Sequence, residues 1–239
     1  MIEIKNLNLN FNETVIFKNA QINIPKNKIT MIVGANGTGK TTLFRIITKE
    51  IKANCEIKNN AKKVFYLPQK LQYPKGITTF DYISSVYFKN NLKWFLNKQD
   101  KEQVDEIIEK IELTNRRNVD IEHLSSGEIQ KANIGLGLLS GADLFLLDEP
   151  TSNMDLVNQI KILDMIKNLS NSGITSAIIM HDLNLSSSYG DYFIGMGANN
   201  KIIKAKRNDF FTPEILNEVY NINFKVVNNE EKFYIQIFN

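Results

Sequence analysis

The sequence predicts an α/β fold, with a mostly parallel sheet, a small antiparallel β subdomain and an inserted helical subdomain. Three observations predict it. ITMIV (Ile29 to Val33), LFLL (Leu144 to Leu147) and ITSAIIM (Ile174 to Met180) are short unbroken apolar runs, the pattern of strands covered on both faces. Each run leads directly into polar, chemically capable residues: Gly34, then Asp148 with Glu149, then His181. Between Gln69 and Leu124 the apolar spacing changes to a helical one. In open α/β sheets ligands bind beyond the carboxyl ends of the strands, so the edge carrying those polar residues is the expected site.

The elements follow in order. EIKNLNLNF alternates loosely and is expected to pair with Ala20 to Ile24 and Ala61 to Leu67 in the small antiparallel sheet. In KEQVDEIIEKIEL, Val104, Ile107, Ile108 and Ile111 fall at i, i+3, i+4 and i+7, which makes an amphipathic helix with its acidic face in water. A second helix is expected to begin near Ser125 and run through IQKANIGLGLL. Thr212 as N-cap and Pro213 at the first helical position start a helix through Tyr220. The tail reads as a hairpin, with FKVV and KFYIQIF joined at Asn228 and Asn229. Residues 1–239 are thus expected to form one unit, in which 1–69 and 141–239 make the α/β core and 70–140 the helical insertion.

Composition narrows the class. With 239 residues, 43% hydrophobic and 23% charged, the chain has an ordinary globular balance and length for a large core. A net charge of +3 is too small to argue for nucleic acid as a partner. Cys55 is the only cysteine, so an internal disulfide is excluded and a reducing compartment fits. No segment approaches the roughly 20 apolar residues of a membrane span, and the start lacks a signal-peptide pattern, so a cytosolic location is expected. The richness in Asn, Lys and Ile is expected to reflect a biased genome rather than a physical requirement, and no function is drawn from it.

GANGTGKTT supplies the first chemistry. Its glycines, Gly34, Gly37 and Gly39, let successive backbone N–H groups turn inward on an anion, helped by the N-terminus of the following helix. Gly34, Ala35, Asn36, Gly37, Thr38, Gly39, Lys40, Thr41 and Thr42 form the candidate nucleotide-binding set. Lys40 is placed to reach the β- and γ-phosphates, Thr41 to offer a hydroxyl to Mg²⁺ and Thr42 to contact the α-phosphate. LFLLDEP ends a strand in two adjacent carboxylates with different expected roles. Asp148 would hold Mg²⁺ through water, and Glu149 would align, or take a proton from, a water attacking the γ-phosphate. In LSSGE, Ser125 reads as an N-cap and Glu128 as the other half of a capping box.

Together with YLPQ ending at Gln69, the SNMD turn (Ser152 to Asp155) and His181, these motifs stand in an order that resembles the nucleotide-binding subunit of an ABC transporter over essentially the whole chain. The resemblance implies a P-loop NTPase core, ATP and Mg²⁺ as cofactors, and two such cassettes, expected to be identical, burying two ATP molecules between them. It implies that Ser125 and Gly127 engage the γ-phosphate held by the opposite subunit. Gln69 would approach the metal and the attacking water, His181 would hydrogen-bond the γ-phosphate, and Asp155 would communicate across the dimer. Phe11 stands where the family commonly stacks an aromatic on adenine; a core position is the alternative. Transmembrane permease subunits and a substrate-binding protein outside the cell are the further implied partners, which puts this chain at the cytoplasmic face of the membrane.

HDLNLSSSYGD (His181 to Asp191) and FTPEILNEVYNINFKV (Phe211 to Val226) look like the corresponding segments of importers for iron–siderophore, haem and cobalamin. The short spacing from Lys40 to Gln69 and the string KKVFYLPQKL are closer to zinc and manganese importers. An exporter subunit, and a soluble ABC protein acting as an ATP-gated binding factor, are the remaining alternatives. Ser126 replaces the usual second glycine of the signature, and IQK stands where an arginine-rich stretch is common. Trp94 and Phe95 either face a membrane partner or pack in the core.

Overall fold

The structure is a computed structural model that describes residues 1–91, 95–229 and 232–238. Its centre is a six-stranded sheet of β5 (Val64–Leu67), β6 (Leu144–Asp148), β7 (Thr175–Ile179), β3 (Ile29–Gly34), β8 (Tyr192–Met196) and β9 (Ile202–Lys206), in that spatial order. The first five run parallel, and β9 closes the edge antiparallel to β8. β3, β6 and β7 are buried at every position, as their unbroken apolar runs require.

Strand alternation divides those residues between two cores. Met31, Phe145, Leu147 and Ile178 face one side, with Ile162 and Ile166 of α5 (Leu156–Asn171) and Leu216 of α8 (Pro213–Tyr220). Ile32, Leu146, Ala177 and Ile179 face the other, with Phe44 of α1 (Lys40–Ile47) and the inner face of the small sheet.

That small sheet is antiparallel, as expected, but its third strand differs from the expectation. Its order is β2 (Thr14–Ile24), β1 (Ile2–Phe11), β4 (Asn54–Asn59). Residues 61–67 instead enter the main sheet, where β5 pairs in parallel with β6. The side chain of Asp143 steers them there: its carboxylate accepts the N–H groups of Lys62 and Lys63, at 3.1 and 3.0 Å, one residue before β6 begins. β4 was missed because its residues, NCEIKN, are almost wholly exposed and carry no apolar alternation.

Between β5 and β6 lie α2 (Thr79–Asn91), α3 (Lys98–Lys110) and α4 (Ser126–Leu139) around a third cluster. Val104, Ile108 and Ile111 are buried in it and Ile107 partly so, as the spacing predicts. Two glycines let α4 approach its neighbours closely. A Cβ on Gly135 would lie 2.7 Å from Ile111, and one on Gly137 would lie 2.7 Å from Phe65 and 2.8 Å from Phe145. Phe95 is 87% exposed and outside any core, while Trp94 lies outside the described residues.

Thr212 caps α8 through the N–H of Ile215, and Pro213 opens the helix. β10 (Phe224–Asn229) and β11 (Lys232–Ile237) make the expected hairpin, which packs on α6 (Leu183–Tyr189). Asn228 and Asn229 are ladder residues rather than the turn, paired with Phe233 and Lys232. That register lets Phe224, Phe233 and Ile235 share the buried side; residues 230 and 231, which connect the strands, lie outside the described residues.

Asn6, Asn12, Asn19, Asn27, Asn153, Asn200 and Asn221 all have positive φ, so these seven asparagines have a backbone use. Asparagine tolerates the left-handed region better than other non-glycine residues.

Gly137→Ala is expected to destabilise the protein by about 1–3 kcal/mol through overpacking against Phe65 and Phe145, more than the roughly 1 kcal/mol of helix propensity it gains. Urea unfolding measures this, and an unchanged midpoint would show that α4 has room to spare.

Candidate functional site

Parallel strands end at one edge, and that edge collects the candidate residues. The loop after β3 turns at Gly34, whose φ of +145° and contact with β8 both demand glycine: a Cβ there would lie 2.1 Å from the carbonyl oxygen of Met196. Lys40 opens α1 and is buried, its Nζ donating to the carbonyl oxygens of Gly34 at 2.8 Å and Ala35 at 2.7 Å. Burial lowers its pKa, while the charges of Glu149 and Asp148 work to raise it. Thr38 Oγ1 donates to Ala35 O at 3.0 Å, which closes the loop on itself.

Thr41, the next residue of α1, donates its hydroxyl to Asp148 Oδ2 at 2.7 Å. Asp148 ends β6 and is 3% exposed. Burial pushes its pKa up, the Thr41 hydrogen bond pulls it down, and Glu149 pushes it up again. These two hard oxygen groups meet beside the phosphate loop. Among the described residues no group of three or more His, Cys, Asp or Glu side chains could hold a metal ion. A hydroxyl and a carboxylate oxygen are donors of the kind Mg²⁺ takes, with the rest of its shell left to water and phosphate.

Glu149 follows at φ +51°, a left-handed conformation that is uncommon for a non-glycine residue and that clusters at functional sites. Its N–H is held by Ile179 O at 3.1 Å. This turn aims the carboxylate between two other candidates. Gln69 Nε2 donates to Glu149 Oε2 at 2.6 Å, and His181 Nε2 lies 2.8 Å from Oε1. Residues from the ends of β5, β6 and β7 thus converge on one carboxylate.

Ser125 and Gly127 stand at the start of α4. Ser125 caps the helix, with Glu128 returning the bond in a complete capping box. Ser125 N and Oγ both donate to Glu128 Oε2 at 2.9 Å, and Arg116 Nε donates to Oε1 at 2.6 Å. Burial works to raise the Glu128 pKa, but these bonds together hold it below the ordinary value. Gly127 packs on Asn158, whose side chain and backbone N–H both bond the carboxylate of Asp155 at 2.7 and 2.9 Å. Among the described residues no hydrogen bond links Ser125 to the phosphate loop of its own chain.

Phe11 ends β1 opposite Thr14 and is 46% exposed, so it is no core residue. A cavity of about 380 Å³ lies beside it in sequence, lined by Thr14, Val15, Ile16, the loop residues 35–38, Asn200 and Tyr220. Val15, Ile16 and Tyr220 carry no motif and come to the loop only through the fold, so sequence reading missed them. The Asn158 contact with Gly127 was likewise illegible, since nothing in the spacing of LSSGE and SNMD shows that they touch.

The ABC transporter family profile matches residues 17–152. The iron(3+)-hydroxamate import ATP-binding protein FhuC of Bacillus subtilis is 29% identical, covering 92% of this chain and 88% of its own length. The uncharacterized ABC transporter ATP-binding protein MJ0089 of Methanocaldococcus jannaschii is 33% identical over 89% of this chain and 88% of its own. Two solved structures share the fold. One is an inward-facing metal-chelate type ABC transporter, with a TM-score of 0.88, 20% identity, and 99% and 96% of the two chains covered. The other is a dimeric bacterial ABC transporter cassette, with a TM-score of 0.74, 22% identity, and 87% and 99% covered.

Glu128→Ala is expected to cost about 1 kcal/mol at neutral pH, the worth of a helix cap. Because the folded pKa is depressed, this stability is present above the unfolded value and is lost as pH falls through the folded one. Chemical denaturation of both proteins from pH 7 down to pH 3 tests this; a difference that stayed constant over that range would mean that the carboxylate charge plays no part.

Proposed function

The chain belongs to the ABC transporter family, and from that premise we propose that it is the ATP-hydrolysing subunit of an importer for an iron chelate, haem or cobalamin. The observation that carries the catalytic part is the carboxylate of Glu149 held between Gln69 and His181, at 2.6 and 2.8 Å, one residue beyond the buried Asp148.

In this reading the loop from Gly34 to Thr42 cradles the triphosphate with backbone N–H groups. Lys40 exchanges its two carbonyl bonds for phosphate oxygens, so the ammonium stays satisfied before and after binding. Thr41 and Asp148, with Gln69, would hold Mg²⁺, which when bound offsets charge on the β- and γ-phosphate oxygens. Glu149 aligns the attacking water and takes its proton; Gln69 and His181 fix the carboxylate, and His181 would hydrogen-bond the γ-phosphate. General-base action of this kind is worth roughly 10²–10⁴ in rate.

Ser125 and Gly127 lie on a helix start whose positive end suits an anion, yet no hydrogen bond joins Ser125 to its own loop among the described residues. They would meet the nucleotide of a second copy of the chain. Asp155, fixed by Asn158 beside Gly127, would stand at the same junction, and an exposed Phe11 would be free to stack on adenine. Residues 70–140 would act as a helical subdomain that passes the closing and opening of the pair to permease subunits. No helix among the described residues is long and apolar enough to cross a membrane, so those subunits would supply the spanning part and hold this chain at the cytoplasmic face. A substrate-binding protein would deliver the cargo. The relative of Bacillus subtilis, named for iron(3+)-hydroxamate import, supports a chelated cargo.

Glu149→Gln should still bind ATP and form nucleotide-dependent dimers while turnover falls at least about a hundredfold; near-normal hydrolysis would remove Glu149 from its role. For the cargo, deletion should abolish growth on a ferric chelate as sole iron source. A defect seen only under zinc starvation would replace the chelate with a free metal ion.

A further inference from the structure

Two adjacent arginines beside α4 have separate tasks. Arg117 is committed to α3: its Nε and Nη2 bond Asp105 at 2.6 and 3.3 Å, and its guanidinium lies 4.0 Å from the ring centre of Phe80. Arg116 turns the other way, to Glu128. Lys131, one turn further along α4, is taken by Glu112 at 2.5 Å. Arg116 is therefore the cation that reaches the capping carboxylate.

The capping box creates a conflict at this particular helix. A carboxylate near a helix N-terminus favours the helix, but it occupies the same positive end that an incoming phosphate would use. Glu128 Oε2 also accepts the Ser125 hydroxyl, which fixes the serine rotamer through a group of the wrong charge for a triphosphate. Glu128 is 25% exposed and so cannot depend on water alone for screening.

We propose that Arg116 is a positioning residue of the signature turn: by pairing with Glu128 it keeps that carboxylate aimed at Ser125 and cancels the charge that would otherwise repel the partner subunit's nucleotide. The proposal rests on the reading that Ser125 and Gly127 meet that nucleotide. It assigns to a residue outside every motif the task of making a glutamate-capped helix acceptable to a polyanion. Arg116 acts through Glu128 and need not touch ATP, and its half-exposed side chain leaves it dispensable to the core.

The test is a double-mutant cycle on the full chain, with ATPase kinetics and thermal unfolding of each protein. Arg116→Gln should raise KM for ATP about five- to tenfold, the scale of an uncompensated like charge near a partly exposed anion site, with kcat within about twofold. Arg116→Lys should recover most of the loss, because it restores the charge without the fork. In a Glu128→Gln background, Arg116→Gln should change KM by less than about twofold, since no charge is left to cancel. An Arg116→Gln protein with wild-type KM overturns the proposal, as does an equal rise in both backgrounds. Ser125→Ala separates the two levels. If it impairs KM while Arg116→Gln does not, only the role of Arg116 fails; if it too is silent, the reading of the signature turn fails.

Discussion

The hydrogen bond from Thr41 to Asp148 joins two strands that do not touch. β3 and β6 are separated by β7, yet the helix after one and the last residue of the other meet at 2.7 Å above it. This fixes the phosphate loop relative to the carboxylates, and every chemical role assigned to the edge depends on that spacing. It exists because all three strands run the same way and are buried on both faces, so their ends cannot slip without turning core residues to the wrong side.

The edge is arranged against its own stability. A buried carboxylate whose pKa is pushed up, a buried ammonium whose pKa is pushed down, and a glutamate in left-handed backbone lie within a few residues of strand ends. Local hydrogen bonds contain this tension. Lys40 is held by the loop's own carbonyls, Asp148 by Thr41, and Glu149 by Gln69 and His181. Such partners keep the geometry ready, so a ligand replaces bonds rather than ordering a disordered loop.

Much of this was legible beforehand because the residues act where they stand in sequence. Three apolar runs gave the central strands, and the groups directly after them meet at one edge of the sheet. The capping box at Ser125 and Glu128 is a four-residue pattern and appears as read. What stayed hidden depends on contacts between distant segments. β4 has no apolar signature and is recruited by backbone pairing with β1 alone. β5 changes sheets because Asp143, eighty residues away, accepts its leading amides. Tyr220 and Ile16 reach the phosphate loop, and Arg116 reaches Glu128, only once the chain has folded.

The asparagines at positive φ carry a chemical consequence. An asparagine in an exposed turn spares the entropy that glycine would lose, but its amide hydrolyses slowly and leaves a carboxylate. Each such event would add an acid to the surface. Asn153, two residues before Asp155, is exposed, so hydrolysis there would set a second carboxylate close in sequence to the one that Asn158 holds.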